Sequence, residues 1–216
     1  MEFSLLFLPL LASITSGFFG KFIGDRNSEI ITSVFVSISA LLSLTLFYQV
    51  IVNGYENNVV IATWINSGTL DVNWSIKVDA LSSVMLVVVT LVSSLVHIYS
   101  IGYMSHDPHK PRFMAYLSLF TFAMLTLVTS DNFLQLFFGW EGVGLCSYFL
   151  IGFWFKKDSA NAAAIKAFVV NRVGDFGFAL GIFLIFYLFG TVNYSEVFQQ
   201  IPQIVDKELL FLGIHI

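Results

Sequence analysis

The sequence predicts an all-α fold, a polytopic bundle of about six transmembrane helices with the start of a seventh. Hydrophobic residues make up 57% of the 216 residues and charged residues 11%, well below the roughly 25% charged residues of an average soluble domain. Several apolar runs reach the ~20 residues needed to cross a bilayer. The net charge of −4 comes without a basic stripe, which excludes nucleic acid as a credible partner.

The predicted spans differ in their polar content. The last one is the longest and carries Lys166, Arg172 and Asp175. A lipid-facing helix would not hold these charges, so we expect this span to be packed inside the bundle. The spans cover residues 3–20, 30–52, 80–103, 113–129, 132–155 and 162–189.

Two further elements lie outside the spans. Apolar and polar residues alternate along 70–79, which is the two-residue period of a strand. With Asn66, Ser67 and Gly68 as the turn, this predicts a small external β-hairpin between spans two and three. After span six, apolar residues at helical spacing predict an interfacial helix, and a seventh span is expected to start at Leu209.

Basic residues predict the orientation of the chain. The first, third and fifth connections hold six of them, and the second and sixth hold Lys77 and Lys207. Because cytoplasmic loops are enriched in Lys and Arg, the odd connections should face the cytoplasm or the mitochondrial matrix. The N-terminus should then lie on the periplasmic or intermembrane side. The six residues are Lys21, Arg26, Lys110, Arg112, Lys156 and Lys157.

Three ionisable residues fall near the middle of their spans: Glu141, Arg172 and Asp175. Each costs about 2.5–3.5 kcal/mol to insert there, so a charge-handling function is the favoured hypothesis and a structural polar cluster is the alternative. Arg172 and Asp175 are three residues apart and can form an ion pair on one helix face. Such a pair could instead only fix helix packing.

Glu141 is the main candidate for proton translocation. It has no basic residue within one helical turn, and Gly139, Gly142 and Gly144 beside it allow another helix to approach closely. A carboxyl group in that setting suits the uptake and release of protons. With Arg172 assigned to Asp175, we expect the cation that pairs with Glu141 to lie outside residues 1–216.

Four other residues are weaker candidates. Lys166 lies half a turn out of phase with Asp175 and either snorkels to the interface or belongs to a proton path. His97 could relay protons or be an ordinary core residue. Gly177 and Gly181 form a small-xxx-small pair typical of helix contact.

No metal or redox site is expected in this chain. Cys146 is the only cysteine, so there is no thiolate set for zinc or for an iron–sulfur cluster. His106 and His109 flank Asp107, but no complete set of metal ligands is visible there.

Three segments carry a family resemblance. GWEGVGLCSYFLIG at 139–152, AIKAFVVNRVGD at 164–175 and HIYSIGYM at 97–104 resemble the antiporter-like subunit L of bacteria, or ND5 of mitochondria, in the proton-pumping NADH:quinone oxidoreductase (respiratory complex I). In that family a fifth-helix glutamate, which matches Glu141, is a proposed proton-channel residue that works with a lysine on the seventh helix. The sixth-helix arginine and aspartate match Arg172 and Asp175.

The resemblance implies a membrane translocase subunit without redox chemistry of its own. NADH, FMN, iron–sulfur clusters and quinone would bind to other subunits, and the partners would be other membrane subunits and the lipid bilayer. The membrane would be the bacterial or mitochondrial inner membrane. The alternatives are the large subunit of a multi-subunit cation/proton antiporter, or a truncated membrane remnant that transports nothing.

The family's subunit is much longer than 216 residues, so the resemblance identifies the chain as an N-terminal fragment that should not pump alone. Residues 1–112 would hold helices 1–3 and the hairpin. Residues 113–216 would begin the antiporter-like domain, with helices 4–6 and the start of helix 7.

Overall fold

The six predicted spans are confirmed. The computed structural model describes residues 1–203, 210–211 and 214–215, and within them six helices are long and apolar enough to cross a membrane. They match the predicted ranges to within a few residues at each end. The helices are α1 Glu2–Ile23, α2 Asp25–Asn53, α3 Ala80–Tyr103, α4 Lys110–Val128, α5 Phe133–Ile151 and α6 Asp158–Phe189.

Side-chain caps and glycines determine where several of these helices begin and end. The Asp79 carboxylate accepts a hydrogen bond from the Ser82 backbone N–H at 2.8 Å, and the Ser82 hydroxyl accepts one from the Asp79 N–H at 2.7 Å. This capping box satisfies donors that the first turn of α3 would otherwise leave free. Gly54 and Gly190 end α2 and α6 with φ of 63° and 69°, a left-handed conformation that favours glycine.

Helix α4 lies at the centre of the bundle and packs against α1, α2, α3 and α5. Helix α6, by contrast, packs extensively against α5 alone among the six spanning helices of the described residues, and more than half of its residues are exposed. The expected interior position of α6 is therefore wrong for the described residues. Its mid-span charges are directed toward α5, where Asp175 is buried, while the Arg172 side chain stays 38% exposed.

The external β-hairpin is confirmed. Strands β1 (Asn57–Ser67) and β2 (Leu70–Val78) pair antiparallel, with Ser67 opposite Leu70. The turn is shorter than predicted, because Asn66 and Ser67 still pair within the hairpin and Gly68, with φ of 62°, makes the bend. The buried Gln135 amide on α5 holds β2 by hydrogen bonds of 3.0 and 2.7 Å to the Ser75 backbone.

The chain after α6 contains a short helix, as predicted. Helix α7 spans Tyr194–Gln200 and is followed by a 3-10 turn at Ile201–Gln203, where Pro202 cannot donate the hydrogen bond of a continuing α-helix. The expected start of a seventh span at Leu209 lies outside the described residues. Leu210–Phe211 and Ile214–His215 form two short paired strands, β3 and β4, rather than helix.

The first, third and fifth connections meet at one end of the bundle, which we call the inner end. The Ser16 hydroxyl donates to the Pro111 carbonyl at 2.8 Å, and Lys110 Nζ lies 3.8 Å from a Glu29 oxygen. Arg112 Nη2 donates to the Phe153 carbonyl at 3.1 Å. The six basic residues of these connections are therefore collected at the same end, and the β-hairpin covers the opposite end.

Candidate functional site

One guanidinium group bridges two carboxylates between α5 and α6. Arg172 forms an ion pair with Glu141, and its Nη1 lies 3.5 Å from Asp175 Oδ2. Glu141 is near the middle of the 19-residue α5, and the other two residues are near the middle of the 32-residue α6. The cluster therefore lies at about half the depth of the predicted spans.

The predicted pair of Arg172 with Asp175 is present, but the expectation that no cation in this chain can reach Glu141 is wrong. The three-residue spacing along α6 predicts only the contact of Arg172 with Asp175. A guanidinium has five N–H donors in a planar fork, so one arginine can serve a carboxylate on its own helix and another on the neighbouring helix. The cluster is consequently a triad rather than a pair beside a separate acid.

Trp140 is a fourth member of the cluster that sequence reasoning missed. Its indole Nε1–H donates to Asp175 Oδ1 at 2.8 Å, and Arg172 lies beside Oδ2. Each carboxylate oxygen of Asp175 therefore has its own partner. Asp175 is only 6% exposed, and buried carboxylates need such partners. The only available signal was that Trp140 precedes Glu141 and carries an N–H that must find an acceptor when it is buried.

Two polar atoms of the cluster stay unsatisfied within the described residues. Glu141 Oε1 and Arg172 Nε are buried and have no hydrogen-bond partner there, although most buried polar atoms in proteins do. A cavity of about 610 Å³ lies between α5 and α6 and is lined by Trp140, Gly144 and Asp175 among others. Asp175 is the member of the triad that lines this space, which is large enough to hold water.

The five glycines predicted to pack helices fall into two groups. A Cβ on Gly139 would lie 2.7 Å from the backbone of Leu127, and one on Gly142 would lie 3.1 Å from the Ala123 Cβ, so both glycines allow α5 to approach α4. The second group has no atom within 4 Å of the added Cβ among the described residues, because these positions face away from neighbouring helices. These glycines are Gly144, Gly177 and Gly181.

His97 lies apart from the cluster, in the contact between α3 and α4. It is fully buried, with Nδ1 at 2.8 Å from the Ser93 carbonyl and Nε2 at 3.0 Å from the Ser118 hydroxyl. Both ring nitrogens therefore have partners, which is the arrangement of a satisfied core histidine. The contact with the Ser118 hydroxyl is also what a proton relay would need, so His97 remains a candidate for either role.

Lys166 is not part of the cluster. It lies on α6 between Asp158 and Arg172, is exposed, and forms no ion pair with any residue that the structure describes. Its long apolar stem would allow the ammonium group to reach the inner interface. The structure brings Glu141, Arg172 and Asp175 together and leaves Lys166 and His97 outside.

Two family models match the chain. Residues 64–114 match the one described as NADH-Ubiquinone oxidoreductase (complex I), chain 5 N-terminus. Residues 130–216 match the one described as NADH:quinone oxidoreductase/Mrp antiporter, TM. The second match contains Glu141, Arg172 and Asp175.

Curated relatives are similar over nearly the whole chain. NADH-ubiquinone oxidoreductase chain 5 of Chondrus crispus is 52% identical over 99% of this chain, and that of Triticum aestivum is 58% identical over 92%. NADH-quinone oxidoreductase subunit L of Rickettsia bellii is 49% identical over 98%. These matches cover 32%, 30% and 33% of the relatives, so the chain spans about a third of their length.

Solved structures share the fold. A chain of the membrane-bound sulfane sulfur reductase, an archaeal respiratory membrane complex, superposes with a TM-score of 0.77 at 18% identity and covers 91% of this chain and 39% of that one. A chain of the Mrp complex from Dietzia superposes with a TM-score of 0.76 at 21% identity, covering 91% and 20%. At these identities the likeness concerns the arrangement of helices only.

Proposed function

Because this chain belongs to the family of NADH-ubiquinone oxidoreductase chain 5 and bacterial subunit L, we propose that it forms part of a proton-translocating membrane subunit. In this proposal, proton movement is coupled to electron transfer from NADH to quinone on other subunits. The chain itself performs no redox chemistry. NADH, FMN, iron–sulfur clusters and quinone would be bound by the partner subunits.

The observation that carries the proposal is the triad of Glu141, Arg172 and Asp175 halfway along its helices. Charged groups at membrane depth are expensive, and they are typically found where ions or protons move. A purely structural ion pair would need one anion for one cation. Here one guanidinium faces two carboxylates, which leaves a formal negative charge available for a proton.

The three residues would have different roles. A guanidinium group is a permanent cation in proteins, so Arg172 acts as a fixed counter-charge that does not itself carry protons. Glu141 is the proton acceptor, because its Oε1 has no hydrogen-bond partner among the described residues. When Glu141 takes up a proton, its attraction for Arg172 weakens and Asp175 becomes the remaining anionic partner. The cavity of about 610 Å³ is lined by Asp175 and would hold the water through which protons reach the cluster.

The test is the Glu141→Gln variant of the full-length subunit in its complex. Inverted membrane vesicles are energised with NADH, and proton uptake is followed with a pH-sensitive dye while NADH oxidation is measured in parallel. We expect strongly reduced proton uptake per NADH, with assembly on native gels unchanged. Glu56→Gln, which alters an exposed carboxylate before the hairpin, is the matched control. Normal pumping by an assembled Glu141→Gln complex would contradict the proposal.

A cation/proton antiporter is the second candidate, because one of the matching family models describes both kinds of complex. The two functions differ in their driving force. An antiporter would dissipate an imposed sodium gradient in vesicles without any electron donor. A translocase of the proposed kind would require NADH and quinone and would not respond to the sodium gradient.

We also propose a location and an orientation. The membrane would be the inner membrane of a bacterium or mitochondrion, with the inner end facing the cytoplasm or matrix and the N-terminus on the other side. The support is the collection of six basic loop residues at the inner end, in accordance with the positive-inside bias. The division of the chain at residues 112 and 113 stays a prediction, and it falls within the first turn of α4, which packs against α1.

A further inference from the structure

We propose that an anionic phospholipid binds at the inner end of the bundle, between the start of α4 and the connection from α5 to α6. Its phosphate would lie beside Arg112, and an acyl chain would follow the neighbouring aromatic cavity toward the membrane interior. This inference does not depend on proton translocation.

Arg112 lies where two cavities meet. One has a volume of about 250 Å³ and the other about 210 Å³, and both are lined by Arg112, Phe153 and Phe155. The larger cavity opens among polar loop residues, and the smaller one extends between helices. A single guanidinium group at the junction of a cavity among charged loop residues and a cavity between helices matches an amphiphile, whose phosphate and acyl chain must separate at one point.

The contacts of Arg112 leave part of its guanidinium N–H donors without hydrogen-bond acceptors among the described residues. Its Nη2 donates to the Phe153 carbonyl at 3.1 Å, and its Cζ lies 4.5 Å from the centre of the Phe153 ring and 5.2 Å from that of Phe155. Its Nε is buried and has no hydrogen-bond partner among the described residues. The aromatic rings hold the guanidinium plane in place, and a phosphate oxygen is the type of acceptor that a guanidinium binds best.

The charge around the larger cavity is positive. Lys156 and Lys157 line it together with Arg112 and His109, and Asp107 is the anion. The oxygens of Asp107 are already engaged, because Oδ1 accepts from the His109 N–H at 2.8 Å and Oδ2 accepts from the Trp154 indole at 2.9 Å. Three fixed cationic groups therefore face the cavity against one carboxylate, which is complementary to an anionic headgroup.

The smaller cavity suits an acyl chain. It is lined mainly by apolar and aromatic side chains of α4, α5 and α6, including Tyr148, Phe149 and Ala164. Trp154 and Phe155 line the larger cavity and are 39% and 52% exposed, and exposed aromatic rings of this kind are typical of the level of the lipid headgroups. Basic pockets between transmembrane helices on the cytoplasmic or matrix side bind anionic phospholipid headgroups for these reasons.

Native mass spectrometry of the 216-residue chain in detergent tests the proposal, with dioleoylphosphatidylglycerol and dioleoylphosphatidylcholine titrated separately. We expect the first lipid to bind about tenfold more tightly, because it carries a net negative charge whereas the choline group of the second cancels the charge of its phosphate, and about 1 kcal/mol per nearby basic residue gives a preference of this size. Arg112→Gln should abolish this preference. Arg26→Gln, which removes an exposed arginine from the first connection at the same end, should leave it within about twofold.

Arg112→Gln also removes a packing contact, so a second variant protects the test against misfolding. Lys156→Gln combined with Lys157→Gln changes two exposed side chains and should reduce the preference at least threefold while circular dichroism stays unchanged. Equal binding of the two lipids to the unaltered chain would overturn the proposal, and so would an equal loss in Arg26→Gln. Displacement of the lipid by soluble glycerophosphoglycerol, or by an acidic peptide, would assign the cavity to a different occupant.

Discussion

Replacing Gly139 by alanine should loosen the contact between α4 and α5. The added Cβ would lie 2.7 Å from the Leu127 Cα, Cβ and backbone N. Ordinary contacts at such a Cβ begin at 3.4 Å, so the two helices would have to separate locally by about 0.7 Å. Leu127 contributes backbone atoms inside a helix, and these cannot rotate away as a side chain can. Overpacking of this kind costs about 1–3 kcal/mol.

Gly144→Ala is the matched control on the same helix, because a Cβ there would meet no atom of the described residues within 4 Å. Both substitutions gain the same helix propensity, about 1 kcal/mol, which cancels when the two variants are compared. Unfolding in mixed detergent micelles, followed by circular dichroism, should show Gly139→Ala to be less stable than Gly144→Ala by about 1–3 kcal/mol. Equal stabilities would refute the inferred helix contact.

Two further predictions concern charged groups. Burial alone would raise the pKa of Asp79, but the Ser82 backbone N–H, the Ser82 side chain and Lys77 lower it below its usual value of 3.8. The ionised carboxylate therefore stabilises the fold above pH 3.8. This stabilisation is lost as the pH falls through the lowered pKa. Asp79→Ala should therefore cost about 1 kcal/mol at neutral pH, and the deficit should shrink in acid unfolding titrations below pH 3.8; a constant deficit would contradict this. The second prediction uses a double-mutant cycle of Arg172→Met and Asp175→Asn. The losses in unfolding free energy of the two single variants should sum to more than the loss in the double variant, with a coupling of about 0.5–3 kcal/mol. Additivity within error would rule out the ion pair.

The spans were predictable because hydrophobicity over about 20 residues is a property of the sequence alone. The β-hairpin was predictable for a similar reason, since the alternation along 70–79 has the period of a strand. The position of α6 was not predictable in this way. Its charges indicated only that part of its surface avoids lipid and not which helix covers that part. Helix α5 buries Asp175 and leaves the Arg172 side chain 38% exposed.

The candidate site was predictable residue by residue but not in its pairing. Charged residues in the middle of a membrane span are rare because inserting them costs free energy, so Glu141, Arg172 and Asp175 could be named from the sequence. Spacing along one helix then predicted the Arg172–Asp175 contact. Glu141 and Arg172 are 31 positions apart in the chain and lie on different helices. The periodicity within either helix does not determine which faces of the two helices meet.

The geometry of the triad also explains why its three members should not be equivalent. Neutralising Glu141 leaves Arg172 paired with Asp175, and neutralising Asp175 leaves Arg172 paired with Glu141. Neutralising Arg172 instead leaves two carboxylates near each other without a counter-charge, and a buried charge without a partner is among the most destabilising arrangements in a protein. The arginine is therefore the member on which the fold depends, and the carboxylates are the members whose charge can change while the helices stay paired. A site that moves protons needs this division, because the group that takes up a proton must be able to lose its charge without unfolding the helices that hold it.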